Sequence, residues 1–163
     1  MMGFRPTPST TDRIPLPAAA AWLGYGGLLP FAAAALALWV TEGSVQRLAA
    51  VSLLAYGGAI LSFLGGIHWG LASTLGASVV GRRLAWSVLP SLWAAAAMVL
   101  GLVLQPRVGL ALLALGLAAW WALEVYRLPS APLAPWFPRL RRHLTAAAVL
   151  CLSLGAAAPF AAS

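Results

Sequence analysis

The sequence predicts an all-α membrane protein: a bundle of five transmembrane helices with short loops and the second helix at its centre. Three observations predict it. Apolar residues make up 62% of the 163-residue chain and charged residues only 8%. A soluble domain carries about 25% charged residues, and so few charges cannot clothe a surface in water. Five apolar runs each come near the roughly 20 residues that cross about 30 Å of hydrocarbon at about 1.5 Å per residue. Every basic residue is an arginine, ten in all, and these gather between the runs.

Residues 1–16 read as a cytoplasmic tail, and residues 17–163 as a single transmembrane domain. The first run covers about 17–40. It is longer than the apolar segment of about 7–15 residues found in a signal peptide, so it reads as a retained anchor. The second run, 48–75, is overlong and is expected to tilt or break. The third run is 84–104, the fourth 108–126 and the fifth 144–162. Pro30 and Pro90 lie inside the first and third runs, where each removes a backbone donor and predicts a kink. Ser87, one turn before Pro90, is placed to satisfy the freed carbonyl.

Short loops at 41–47, 76–83 and 105–107 force neighbouring spans to run antiparallel. The loop at 127–143 is longer. Pro129, Pro132, Pro135 and Pro138 recur there at every third residue, the repeat of a polyproline II strap. Trp136, Arg139, Arg141 and Arg142 then suit contact with lipid headgroups.

Arg5, Arg13, Arg82, Arg83, Arg127, Arg139, Arg141 and Arg142 fall on one side of this alternating pattern, and Arg47 and Arg107 on the other. Positive charge is retained in the cytoplasm. The expectation is a multi-pass protein of a bacterial inner (cytoplasmic) membrane, N-terminus cytoplasmic and C-terminus outside. The net charge of +7 then reads as topology plus attraction to anionic headgroups of the bilayer, not as a nucleic-acid surface. Cys151 is the only cysteine, which excludes a disulfide within the chain and a thiolate metal site. No histidine pair has ligand spacing, so no metal and no cofactor are expected.

The second run carries the most specific pattern. Gly58, Ser62, Gly66, Gly70 and Thr74 recur at every fourth position and form one stripe of small side chains. Such a stripe lets another helix backbone approach closely. His68 points away from the stripe, on a face shared with Gly57, Leu61, Leu64 and Leu71. An ionisable group at that depth does not face lipid unsupported, so both faces of this helix are expected to be covered by protein. The imidazole is then either a core residue with one hydrogen-bond partner or a ligand-binding or protonatable group.

Glu124 is the only acidic residue inside a run, near the cytoplasmic end of the fourth. Arg127, three residues on, is the expected partner in a local salt bridge. Pairing with His68 or with the Arg82–Arg83 corner is the alternative. His68, Trp69, Glu124, Arg127, Arg82 and Arg83 all lie toward one membrane face. If a binding pocket exists, it is a shallow one at that face.

The segments Ser62-Phe-Leu-Gly-Gly-Ile-His-Trp-Gly70, Val88-Leu-Pro-Ser-Leu-Trp93 and Trp136-Phe-Pro-Arg-Leu-Arg141 carry a family likeness. Together they resemble an uncharacterised membrane-protein family, a domain of unknown function that includes eukaryotic transmembrane protein 69 and bacterial inner-membrane proteins. The resemblance implies a helical membrane protein and supplies no catalytic residues. The aromatic pair Trp136-Phe137 departs from the Trp-Tyr pair expected on that basis.

The leading functional expectation is a non-enzymatic packing or assembly component of a membrane complex, with a membrane-protein partner or a second copy of the chain. It rests on the small-residue stripe and the scarcity of reactive groups. The alternative is a small-solute or proton-linked transporter using His68 and Glu124. An enzyme is disfavoured: Ser73, His68 and Glu124 are of the right types for acyl transfer, but nothing in the sequence brings them into contact.

Overall fold

A computed structural model describes residues 16–73, 77–127, 134 and 136–160, without the side chains of 77–80, 82, 83 and 127. The 1–15 part of the tail, Thr74, the prolines at 129, 132 and 135, and the side chains of Arg82, Arg83 and Arg127 therefore lie outside the described residues. The chain folds as α1 (Ala18–Gly26), α2 (Leu29–Val40), α3 (Gly43–Ala72), α4 (Ala77–Val103), α5 (Pro106–Arg127) and α6 (Phe137–Ala157).

The first predicted run is divided into α1 and α2 at Gly27–Leu28. Pro30 is the reason. It sits in the first turn of α2, where its missing N–H is one that no helix would have bonded. The hydroxyl of Tyr56 on α3 donates to the Gly27 carbonyl at this break, at 2.9 Å. Pro90, by contrast, lies inside an uninterrupted α4. Ser87 does not bond the carbonyl that Pro90 frees: its hydroxyl donates to Leu84 O at 2.7 Å. A serine back-bonding within its own turn reaches only the carbonyls three or four residues earlier.

Several predicted boundaries move; α4 begins at Ala77 rather than 84, so most of the expected 76–83 loop is helix. The second span begins at Gly43, five residues before the hydropathy pattern starts. Gly43 has φ +61°, a left-handed conformation that glycine adopts without a Cβ clash. Gln46, one turn on, is buried because its amide donates to Leu38 O and Pro159 O, both at 3.0 Å. The last helix starts at Phe137 rather than 144 and ends at Ala157 rather than 162. Its arginine-rich first two turns read as loop by hydropathy but are helix.

Among the described residues, four segments are long and apolar enough to cross a membrane: Ala18–Val40, Gly43–Ala72, Leu84–Val103 and Pro106–Tyr126. The last helix, α6, runs the length of the same bundle. Its first turns lie against the C-terminal ends of α3 and α5, where Arg141 meets Glu124. Its far end lies against the N-terminal end of α5, where the Arg107 guanidinium donates to Ala158 O at 3.1 Å, and against the C-terminal end of α2, where Trp39 Nε1 donates to Leu154 O at 3.1 Å.

α3 is the central helix. It packs against α2, α4, α5 and α6, and 50% of its span is buried, against 17%, 28% and 33% for the other three. Lipid offers no hydrophobic drive for helix association, so contact must come from shape. Leu53, Leu54 and Leu61 of α3 interlock with Leu110, Leu113 and Leu117 of α5 and Leu152 of α6, all essentially inaccessible. Glycines set the closest approaches. A Cβ at Gly65 would stand 2.3 Å from Ser87 O of α4, and one at Gly109 would stand 2.7 Å from Gly101 Cα.

Candidate functional site

The last two turns of α3 place His68 between α5 and α6. Its Nε2 lies 2.9 Å from Glu124 Oε1. An ionised carboxylate only accepts, so Nε2 carries the proton in this arrangement. The other carboxylate oxygen, Glu124 Oε2, lies 3.3 Å from Arg141 Nη2. Arg141 donates its second nitrogen, Nη1, to Thr145 Oγ1 one turn along α6. One side chain from each of three helices thus converges, with Glu124 in the middle. Trp120 closes the inner side of the imidazole, ring centroids 5.3 Å apart and planes at 87°.

The cluster is largely withdrawn from the surface, with side-chain exposures of 14% for His68, 19% for Glu124 and 11% for Arg141. Ionisable groups in such a setting are costly unless they pair, and here the carboxylate charge is matched by one guanidinium. Arg141 Nη2 lies close enough to Glu124 for an ion pair but has no well-aligned hydrogen bond. The contact is therefore mainly one of charge, and the hydrogen-bonding capacity of that nitrogen is unused.

These groups line a cavity of about 330 Å³. Its walls are Ile67 and Leu71 of α3, Trp121 and Val125 of α5, and Phe137 and Pro138 of α6. Arg139 and Arg142 stand at its edge beside Arg141. A second cavity of about 590 Å³, lined by apolar side chains of α3, α4 and α5, runs along the Pro90 region, with Trp120 as one of its walls.

Several expected site residues are placed differently. Glu124 reaches His68 and Arg141 across helices. Arg141, expected at the lipid headgroups, is turned inward because α6 begins a full two turns earlier. Once those turns are helical, Arg141 falls on the same face as Thr145, Ala148 and Leu152, which are buried. Its i, i+4 spacing to Thr145 was the available signal. Trp69, expected in the pocket, is 53% exposed and points outward; Trp121 lines the cavity instead, and Trp120 packs against the His68 ring. Trp136 stacks edge-on against Phe137, centroids 6.0 Å apart.

The small-residue stripe is only partly occupied. A Cβ at Gly58 would meet Met98 Sδ at 2.5 Å, while Gly66 and Gly70 have open space around them. The close approach to α4 is made instead by Gly58 and Gly65. A residue seven positions on is two helical turns away on nearly the same face, so the buried line follows a seven-residue step. A repeat of four drifts off that line toward the exposed side. Among the described residues no group of three or more His, Cys, Asp or Glu side chains is arranged to hold a metal.

The comparisons with known proteins agree with the fold and name no activity. The family described as "Protein of unknown function (DUF3429)" matches residues 16–157. "Transmembrane protein 69" of Xenopus tropicalis is 37% identical over 138 residues, 83% of this chain and 53% of its own length. "Transmembrane protein 69" of Mus musculus is 34% identical over 127 residues, 77% of this chain and 50% of its own length. The chain thus spans about half the length of these curated relatives. No solved structure matches it. With a match over nearly the whole described bundle, this helical membrane chain belongs to the DUF3429 family of proteins of unknown function.

Proposed function

We propose that the protein is a non-enzymatic, membrane-embedded solute-binding component of the transporter class, with His68, Glu124 and Arg141 as its polar site. The observation that carries this reading is the 2.9 Å contact between His68 and Glu124 at the wall of a 330 Å³ cavity. A histidine kept only for packing needs one partner and no open space. Here an imidazole, a carboxylate and a guanidinium share one cavity wall, the inventory from which membrane proteins build solute and proton sites. In this reading the protein sits in a bacterial inner membrane with five crossings, α6 being the fifth. The N-terminus and the arginine-rich end face the cytoplasm, where the cavity receives its ligand.

Proteoliposomes containing the pH dye pyranine test the reading. A proton or solute-coupled pH change is expected above that of empty vesicles, and it is expected to disappear in His68→Ala and Glu124→Gln. Traces identical to empty vesicles across small organic acids and phosphate would contradict it.

One observation favours assembly as a second reading. Gly66 and Gly70, one turn apart on α3, are exposed and have room for a helix against them. A Gly-x-x-x-Gly face left uncovered in a membrane suits a partner helix or a second copy. Gly66→Leu with Gly70→Leu is expected to abolish copurification of a partner, or self-association in mild detergent, without lowering thermal stability. Unchanged association would remove this reading.

A further inference from the structure

We infer that the cavity beside His68 takes a small anionic amphiphile, a single carboxylate or phosphate on an apolar body. This rests on the solute-site reading above and names its ligand class. Three features converge on it. The first is charge. Glu124 is matched by Arg141, whereas Arg139 and Arg142, also on the cavity, form no ion pair among the described residues. The chain has only three carboxylates to set against ten arginines. Of the two described, Glu42 stands just before the opposite end of α3. The positive rim is therefore left for an anion from outside the bundle. Guanidinium groups bind carboxylate and phosphate through paired N–H donors.

The second feature is the start of α6. Phe137, Pro138 and Arg139, its first turn, lie on the cavity; the Phe137 N–H bonds Ala134 O and Pro138 has none, so this end contributes the positive dipole of a 21-residue helix and the Arg139 N–H, which favour an anion at the rim. The third is the wall. Ile67, Leu71 and Val125 offer no polar group to a fully hydrophilic solute, and Trp121 offers at most its indole N–H. A free inorganic anion would lie against oil on one side; an amphiphile satisfies both halves. The 330 Å³ volume is near the low end of the roughly 300–1,000 Å³ typical of small-molecule sites. It is large enough for one short chain.

Radiolabelled decanoate is the probe, added to the protein in phosphatidylcholine nanodiscs. Saturable binding is expected, displaced by decyl phosphate but not by decanol or inorganic phosphate. Arg139→Gln with Arg142→Gln is expected to weaken it at least tenfold, and because both side chains are exposed the thermal melt should not change. Nanodiscs containing phosphatidylglycerol separate the sources: competition by the lipid assigns the head site to a bilayer lipid, and its absence to a free amphiphile. No saturable decanoate binding, equal displacement by decanol, or no effect of the double substitution would overturn the inference. Failure here with His68-dependent flux intact rejects the amphiphile and keeps the solute site. Decanoate binding without any flux keeps the amphiphile and rejects transport.

Discussion

The two ends of α3 are built on opposite principles. From Ala49 to Gly65 the helix is a dry contact surface: leucines fill the space, and glycines at 57, 58 and 65 admit neighbours that a Cβ would push away. From Gly66 to Ala72 the same helix carries an imidazole beside a cavity, two glycines with nothing against them and an exposed tryptophan. The first stretch is committed to stability. The second leaves polar groups paired but accessible and a backbone face uncovered, the low-density end of the molecule where binding and motion are accommodated.

Substitutions along α3 and its partners sharpen this contrast. The largest effect is expected at Gly65. Its Cβ would meet the Ser87 carbonyl, which is backbone and cannot rotate away, so Gly65→Ala should cost about 3 kcal/mol, the upper end for overpacking. Thermal unfolding in detergent reads it; a melt within a degree or two of wild type would mean that α3 and α4 are not in contact there.

Next is Glu124→Gln. It leaves Arg141 withdrawn from water without its countercharge, at a cost of about 2–3 kcal/mol, the lower end for buried pairs because Glu124 keeps 19% exposure. Adding Arg141→Gln should recover a measurable part of that loss. Simple additivity in this double-mutant cycle would show that the two side chains do not interact.

Gly58→Ala should be milder, about 1 kcal/mol, because the atom it meets belongs to the flexible Met98 side chain. A loss as large as that at Gly65 would show a rigid neighbour there. The smallest effect is expected at Gly66 and Gly70. Alanine meets nothing and is a better helix former by about 1 kcal/mol, so Gly66→Ala should be neutral or slightly stabilising. Clear destabilisation would mean that this face is covered.

The comparison also explains what was legible in the sequence. The all-helical membrane fold, the central place of the second helix and the departure from a straight helix near Pro30 follow from hydropathy, charge scarcity and backbone chemistry, which act locally. The pocket was legible as a region: His68 and Glu124 lie toward the same membrane face. Their partner was not. Arg141 looked like a headgroup residue because hydropathy counts charges and misses the helical register that turns one arginine inward and its neighbours Arg139 and Arg142 outward. The glycine stripe was misjudged in step for a similar reason. A four-residue repeat reads a single straight helix, whereas contact with α4 follows the seven-residue step from Gly58 to Gly65.

The central claim is that α3 carries its histidine against a carboxylate of α5 inside the bundle. The chain has two histidines, His68 and His143, and two glutamates, Glu42 and Glu124, so His143→Gln with Glu42→Gln leaves one of each. Solid-state NMR in lipid bilayers, with ¹⁵N-histidine and side-chain ¹³C-glutamate, then measures their separation directly. Strong dipolar dephasing of the His68 ring nitrogen, as for atoms in hydrogen-bond contact, is the expected result. No dephasing, with the ring instead showing contacts to lipid acyl chains, would contradict the account.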